Sequence, residues 1–210
     1  MSTRRARLRW SAKKWYDVYT PEYFGNKSIL SVPSLSPENL IGRKVEVSLF
    51  EITGDPSHYQ ILVGFKIFKV EGLNAYTIFW GHEYSRDSVR SIIRRGSTKI
   101  EHVVDAVTSD NYIIRIKGLV LTRFHASHSQ CTAIRKIMES SLKETISQMS
   151  LPQLAPELVM GRIDSIVHNN VKKIHSIRKT GMEKSRVIRP PPEIQAIFSG
   201  KAMVKASVET

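Results

Sequence analysis

The sequence predicts an α+β protein in which a mainly antiparallel, barrel-like sheet with packed helices carries extended basic terminal arms. Two patterns predict the body: hydrophobic side chains alternate along about five segments between residues 45 and 122, and the period becomes helical from residue 129. The charge layout predicts the arms, because residues 1–15 hold six basic and no acidic side chains, and residues 171–210 hold nine basic and three acidic ones. The 155 residues between them are nearly neutral, with 17 Lys or Arg and 16 Asp or Glu. A near-neutral body with two cationic ends is typical of a nucleic-acid-binding protein.

Strand patterns dominate the first half of the body. Val45, Val47 and Leu49 alternate with polar residues, which is typical of a strand with one buried face. Two hairpins are predicted next, over residues 59–80 and 100–122, and the second turns at a Ser-Asp-Asn sequence that tolerates tight-turn backbone angles. Residues 15–37 mix aromatic side chains with Gly and three Pro, so irregular structure is expected there.

Helical signals come after residue 85. A short helix is predicted over residues 85–95, with Ser85 as its cap and Gly96 as its left-handed end. A long helix is predicted over residues 129–149, where apolar residues three or four apart form one stripe: Cys131, Ile134, Met138, Leu142, Ile146 and Met149. Because Pro152 and Pro156 interrupt the chain, the next helix is expected over residues 157–169.

These elements predict a basic N-terminal arm at residues 1–14, a single globular domain at 15–189 and a C-terminal tail at 190–210. Within the domain, residues 40–123 are expected to be β-rich, 129–169 helical, and 171–180 a closing strand. A run of three prolines at 190–192 is expected to stiffen the start of the tail. Val45, Val47, Phe65, Ile67 and Ile114 are predicted core residues.

Basic side chains are the candidate binding residues, because guanidinium and ammonium groups neutralise phosphates. They fall in the N-terminal arm, at the first body strand, on the short helix and near the C-terminus. The predicted contacts are Arg4, Arg5, Arg7, Arg9, Lys13, Lys14, Arg43, Lys44, Arg86, Arg90, Arg94, Arg95, Lys172, Lys173, Arg178 and Lys179. Trp15 and Tyr16 at the root of the arm are predicted to be core anchors rather than base-stacking groups.

The sequence predicts neither catalysis nor a cofactor. It contains no nucleotide-binding glycine motif, no GxSxG and no HExxH. Glu101, Asp105 and Asp110 are close in sequence, but their spacing on a strand and a turn is a poor pattern for sharing one metal ion. His125, His128 and Cys131 lack the fourth ligand of a structural zinc site, so no metal is expected.

The sequence also predicts in which cellular compartment the protein is found. No apolar run approaches the roughly 20 residues of a membrane-spanning helix, so no membrane partner is expected. Residues 10–19 lack the apolar stretch of a signal peptide, which predicts that the chain is not exported. The single cysteine, Cys131, fits a reducing compartment.

Five stretches, in order, resemble one family. They are KKWYDV at 13–18, GRKVEVSL at 42–49, RDSVRSIIR at 86–94, DAVTSDNY at 105–112 with Arg115, and Gln130 followed by IRKIM at 134–138. Together they resemble the S-three-A-e, or eS-one, family of small-subunit ribosomal proteins of archaea and eukaryotes. The short, Arg-rich N-terminal arm makes the chain more similar to archaeal members.

The resemblance implies a structural component of the small ribosomal subunit, on its platform near the mRNA exit, in the cytoplasm. Its implied partners are small-subunit rRNA, neighbouring ribosomal proteins and mRNA near the exit. The residues alone leave two other classes open: a free-standing RNA- or DNA-binding protein and a metal-dependent nuclease.

Overall fold

Eight strands form one sheet in the computed structural model, which describes residues 13–198 of the chain. The strands are β1 (Lys14–Tyr19), β2 (Ser28–Ser34), β3 (Lys44–Ser48), β4 (Ile61–Glu71), β5 (Asn74–Tyr84), β6 (Lys99–Val107), β7 (Ile113–Thr122) and β8 (Ile177–Arg189). Six α-helices accompany them within the same residues: α1 (Leu49–Thr53), α2 (Arg86–Ile92), α3 (His128–Ser147), α4 (Leu151–Val159), α5 (Arg162–Val171) and α6 (Pro192–Phe198). The mixed α+β prediction is confirmed.

Strand β5 joins the two parts of the sheet. It pairs with β4 along one edge, and β4 in turn pairs with β3. Its other edge is shared, because its first residues pair in parallel with β1 and its last residues pair antiparallel with β8. From β8 the sheet continues to β7 and β6. Within residues 13–198 the strands β2, β3 and β6 each pair with one neighbour only, so the sheet is not closed and the predicted barrel-like body is not confirmed.

The sheet has a covered inner face and a largely uncovered outer face. Alternation along each strand sends Val63, Phe65, Ile114 and Ile116 to the inner face, where they are fully or almost fully buried. Helices α3, α4 and α5 pack against this face and form the main core with it. The five predicted core residues Val45, Val47, Phe65, Ile67 and Ile114 are all buried, as expected.

Helix α3 follows the predicted pattern. Ser127 caps it reciprocally with Gln130, because the Ser127 hydroxyl accepts from the Gln130 N–H and the Gln130 side chain accepts from the Ser127 N–H. Its stripe from Cys131 to Ile146 is buried, whereas Met149 lies beyond the helix and is partly buried.

The junction of β5 and β8 contains a buried histidine. The His82 Nε2 atom lies 3.0 Å from the carbonyl oxygen of Met182, and Nδ1 lies 2.7 Å from the Ser185 hydroxyl. Since a carbonyl can only accept, Nε2 carries the proton and Nδ1 accepts from Ser185. Burial lowers the pKa of His82 to about 4, so the ring is neutral.

Residues 15–37 are more ordered than expected. Strands β1 and β2 form an antiparallel hairpin there, with Trp15 opposite Pro33. Proline is tolerated because β2 is the edge strand of the sheet and needs no partner on its outer side. Strand alternation buries Tyr16, as predicted, but leaves Trp15 57% exposed, so the prediction of Trp15 as a core anchor is wrong.

The chain after α3 also differs from expectation. Two helices replace the one predicted over residues 157–169, because Pro152 lies in the first turn of α4, where a missing N–H costs nothing. Pro156 lies inside α4 without ending it, and the break comes at Gly161, whose φ of 74° favours glycine.

The last strand lies later in the chain than predicted, and a helix follows it. Residues 171–176 complete α5 and a turn, so the strand expected at 171–180 is β8 and continues to Arg189. The three prolines lead into α6, in which Phe198 packs on Trp80. The division into arm, single domain and tail stays a prediction.

No helix within residues 13–198 combines the length and the apolar character needed to cross a membrane.

Candidate nucleic-acid interface

Helix α2 displays arginines because its other side packs on the sheet. Ser85 caps the helix, and its hydroxyl accepts from the Ser88 N–H at 3.3 Å. Val89 and Ile92 pack with Leu119 and Leu121 of β7 on the outer face. This packing directs Arg86 and Arg90 to solvent.

The helix is shorter than predicted. It ends at Ile92, and Ile93 is already extended, so Gly96 belongs to the following turn and does not end the helix. Arg94 and Arg95 therefore lie beyond the helix, where both are exposed. Only Arg86 and Arg90 therefore lie four residues apart on one face of the helix, and Arg94 does not continue that row.

Long-range contacts bring Lys179, from the second predicted basic cluster, beside α2. Lys179 pairs in register with Leu121 and lines a shallow groove with Val89 and Ile92. Thr98, three residues after Arg95, exchanges hydrogen bonds with Thr122. The next residue, Arg123, donates its backbone N–H to Ser176 at 2.9 Å.

We call this region the α2 surface. Its cations are Arg86, Arg90, Arg94, Arg95, Arg123, Lys172, Lys173, Arg178 and Lys179. All are exposed except Arg178, which is half-buried. None of the nine forms an ion pair with any side chain among residues 13–198. Such a surface presents uncompensated positive charge to solvent.

Arg123 was missing from the predicted contacts. Its only sequence signal was a shared strand parity with Arg115 and Lys117, and that parity also included apolar residues. The lysines at 172 and 173 have a structural role as well, because cations at the carboxyl end of α5 complement its dipole.

The other predicted contacts lie elsewhere. Arg43 and Lys44 stand at the start of β3, at another edge of the sheet, and Lys44 pairs with Glu46 at 2.5 Å. Lys13 and Lys14 lie at the start of β1. Arg4, Arg5, Arg7 and Arg9 lie outside the described residues. The structure therefore brings Lys179 beside α2, and Arg123 beside the segment between Lys173 and Arg178, and it places Arg43, Lys44, Lys13 and Lys14 elsewhere.

The carboxylates considered for nuclease chemistry are each engaged in structural contacts. Arg115 binds Asp105 through two hydrogen bonds of 2.7 and 2.8 Å, which lower the pKa of that carboxyl. Glu101 pairs with Lys99 and Lys117, and Asp110 accepts from the Leu151 N–H at the start of α4. Among residues 13–198, no three His, Cys, Asp or Glu side chains are placed to hold a metal ion.

Comparison with known proteins decides the family. The model of the Ribosomal S3Ae family matches residues 1–191. The chain belongs to the Ribosomal S3Ae family. It is 41% identical over 202 residues to the small ribosomal subunit protein eS1 of Saccharolobus solfataricus, covering 96% of this chain and 95% of that protein.

Two further relatives carry the same name. The eS1 protein of Saccharolobus islandicus is 39% identical over 202 residues, covering 96% of this chain and 95% of its own length. That of Staphylothermus marinus is 41% identical over 188 residues, covering 89% of each chain. The resemblance to an archaeal ribosomal family is confirmed, and a member of the Ribosomal S3Ae family is a structural protein rather than an enzyme.

Proposed function

We propose that this Ribosomal S3Ae protein binds small-subunit rRNA through its α2 surface, as a structural component of the small ribosomal subunit. The observation that carries the proposal is the α2 surface itself, nine cations that form no ion pair among residues 13–198. The names of its relatives support the ribosomal setting.

Electrostatics favours the α2 surface over other basic positions. A cation already paired with a carboxylate, such as Lys143 with Glu139 at 2.7 Å, must give up that partner before it binds a phosphate. The α2 cations form no such ion pair among residues 13–198. They can neutralise phosphates directly and release counterions, which supplies affinity without reading base sequence.

The N-terminal arm supplies a second, separate contact. Its Arg4, Arg5, Arg7, Arg9, Lys13 and Lys14 lead into β1, which is separated from β7 by β5 and β8 in the sheet. Arm and α2 surface therefore approach different rRNA segments. Arg43 and Lys44 at the start of β3 add a third contact to the body.

The family resemblance supports the finer location. We place the protein on the platform near the mRNA exit, in cytoplasmic ribosomes, where its other partners are neighbouring small-subunit proteins and mRNA near the exit.

The test compares two double variants with equal loss of charge. Arg90→Ala with Arg94→Ala removes two cations of the α2 surface, and Lys69→Ala with Lys143→Ala removes two cations that already pair with Glu71 and Glu139. Binding of a folded fragment of small-subunit rRNA is measured between about 50 and 200 mM salt. We expect the α2 variant to lower the salt slope by about 2, roughly 1 per lost phosphate contact. The control should keep the wild-type slope.

Incorporation separates the proposal from its alternative. In a sucrose gradient of lysate, the wild-type chain should sediment with small subunits at moderate salt, and the α2 variant should shift toward the top. A wild-type chain that stays at the top under every condition would favour a free-standing RNA- or DNA-binding protein. Equal salt slopes for the two double variants would exclude the α2 surface as the contact.

A further inference from the structure

Cations face each other across β7 and β8 on the outer face of the sheet. Lys117 is the register partner of Lys184, and Arg115 is the register partner of Arg186. Like charges placed directly opposite each other destabilise an antiparallel pair. Two adjacent pairs of this kind lie outside the α2 surface, so each of these four cations needs a partner of opposite charge.

Carboxylates compensate three of these four cations. Lys117 pairs with Glu101 at 3.1 Å and with Glu183 at 2.9 Å. Lys184 pairs with Glu83 at 2.6 Å, and Arg115 with Asp105 at 2.7 Å. Arg186 forms no ion pair within residues 13–198 and is exposed. It is the uncompensated charge of the group.

Arg186 borders a depression in the sheet. Its register partner on β5 is Gly81, whose own partner on β4 is Gly64. Two glycines side by side leave a depression of about 150 Å³. Its charged lining residues are Arg186 and the two ion pairs Lys44–Glu46 and Lys184–Glu83, and Trp80 lies beside them. Gly81 is required by packing, because a Cβ there would lie 2.2 Å from the Ser185 carbonyl oxygen.

A groove of about 460 Å³ continues the depression toward β6. Trp80, Lys184 and Arg186 line both spaces, and the groove adds Val103 and Ile188, which are 51% and 45% exposed. The two spaces therefore share an edge and together cross β4, β5, β8, β7 and β6, with both apolar and charged side chains in their lining.

Trp80 is held in position by Lys66 and Phe198. The Lys66 Nζ atom lies 4.1 Å from the centre of the Trp80 ring and 3.9 Å from that of Phe198. Phe198 of α6 meets the Trp80 ring edge-on, with the two centres 5.7 Å apart. A fixed aromatic ring beside a free arginine is a suitable arrangement for one nucleotide, with its base on the ring and its phosphate on the cation.

We propose that the outer face between α2 and α6 binds an unpaired RNA strand. A phosphate sits at Arg186, the cation of this group without an ion pair among residues 13–198, and the adjoining bases pack on Trp80 and Ile188. The proposal rests on the proposed function only in that the ligand is RNA, since the site shares no residue with the α2 surface. An unpaired strand fits better than a helix, because only splayed bases expose their faces to apolar side chains.

The test measures a fluorescently labelled oligouridine of about ten nucleotides against the full-length chain. Arg186→Ala removes the free cation, and we expect it to weaken binding about fivefold to tenfold. Gly64→Met fills the depression, and we expect a similar loss. A Cβ there would lie 2.9 Å from the flexible end of Lys44, which can move, and at an ordinary 3.5 Å from the Gly81 carbonyl oxygen. Lys69→Ala is the matched control, because Lys69 is exposed and lies outside the path. Circular dichroism verifies that each variant folds.

The folded rRNA fragment, tested on the same preparations, separates this inference from the proposed function. The Arg90→Ala, Arg94→Ala double variant should lose affinity for the rRNA fragment and keep its affinity for oligouridine. Arg186→Ala and Gly64→Met should lose affinity for oligouridine and keep it for the fragment. If Arg186→Ala and Gly64→Met bind oligouridine within twofold of wild type, this inference is overturned while the α2 proposal stands. Equal competition by an acidic peptide would also overturn it, since the face would then recognise charge without a base.

Discussion

The inner and outer faces of the sheet are built from the same strands but differ in burial and in charge. On β7, Ile114 and Ile116 point inward and are fully buried, whereas Arg115 between them points outward and is exposed. The inner face packs against α3, α4 and α5 and contains the main core. The outer face carries the α2 surface at one end and ion-paired cations elsewhere. Neighbouring residues of a strand point to opposite faces, so residues that stabilise the core alternate along β7 with residues that can contact a partner.

Truncating the inner face should have the largest effect on stability. Ile116→Ala removes a fully buried side chain at the interface of sheet and helices, and we expect it to cost about 3 kcal/mol of unfolding free energy. Urea unfolding of the wild type and the variant measures the difference. A change below about 1 kcal/mol would mean that the helices do not depend on this face.

The buried histidine should make the inner face sensitive to acid. The folded pKa of His82 is lowered to about 4 by burial, so below its ordinary pKa of about 6.5 the unfolded chain binds the extra proton. Stability is then fully present above about pH 6.5 and falls as the pH drops toward 4, by about 3 kcal/mol. Unfolding midpoints between pH 4.5 and 7.5 should show this loss, and His82→Gln should flatten the curve.

Asp164 should make the protein less stable as the pH rises, the opposite of the pH dependence that His82 causes. Burial raises its pKa to about 7, and its Oδ1 atom has no hydrogen-bond partner within residues 13–198. The unfolded carboxyl ionises near pH 4, so this group costs stability as the pH rises from about 4 to 7. Asp164→Asn should therefore stabilise the protein by about 2 kcal/mol at pH 8 and have little effect at pH 4. Urea unfolding of this variant and the wild type at pH 4 and at pH 8 measures the difference, and the measurement at pH 4 is the control.

The outer face should give the smallest effect on stability. Arg115→Ala breaks an exposed pair with Asp105, and such pairs contribute little because water and salt screen them. We expect its unfolding midpoint to match that of the wild type, in contrast to its neighbour Ile116→Ala. A loss as large as that of Ile116→Ala would show that the outer ion pairs stabilise the fold, and the division between the two faces would then be wrong.

Much of this fold could be predicted because local pattern and tertiary environment agree. Alternation marked β3, β4, β6 and β7, and the helical stripe marked α3. The β1–β2 hairpin was missed because Pro33 is a strand breaker everywhere except at a sheet edge, and the edge position of β2 depends on distant pairing.

The candidate sites were predictable only in part. Composition marked the basic clusters at 86–95 and 172–179, yet nothing local indicates that they adjoin. Their proximity follows from contacts between distant residues, such as Arg123 with Ser176. The depression beside Arg186 was hidden for the same reason, because Gly64 and Gly81 become partners only through strand register.

The shared edge of β5 also constrains the order in which the chain can fold. Strands β1 to β5 form one connected group and β6 with β7 another, and β8 is the strand that joins them. The joining contact, between His82 and Ser185, spans 103 residues. During synthesis no strand pairing can therefore join the two groups, and β5 and β7 keep unpaired edges, until β8 has emerged. A chain that stops before β8 thus exposes unpaired strand edges, which chaperones and proteases recognise.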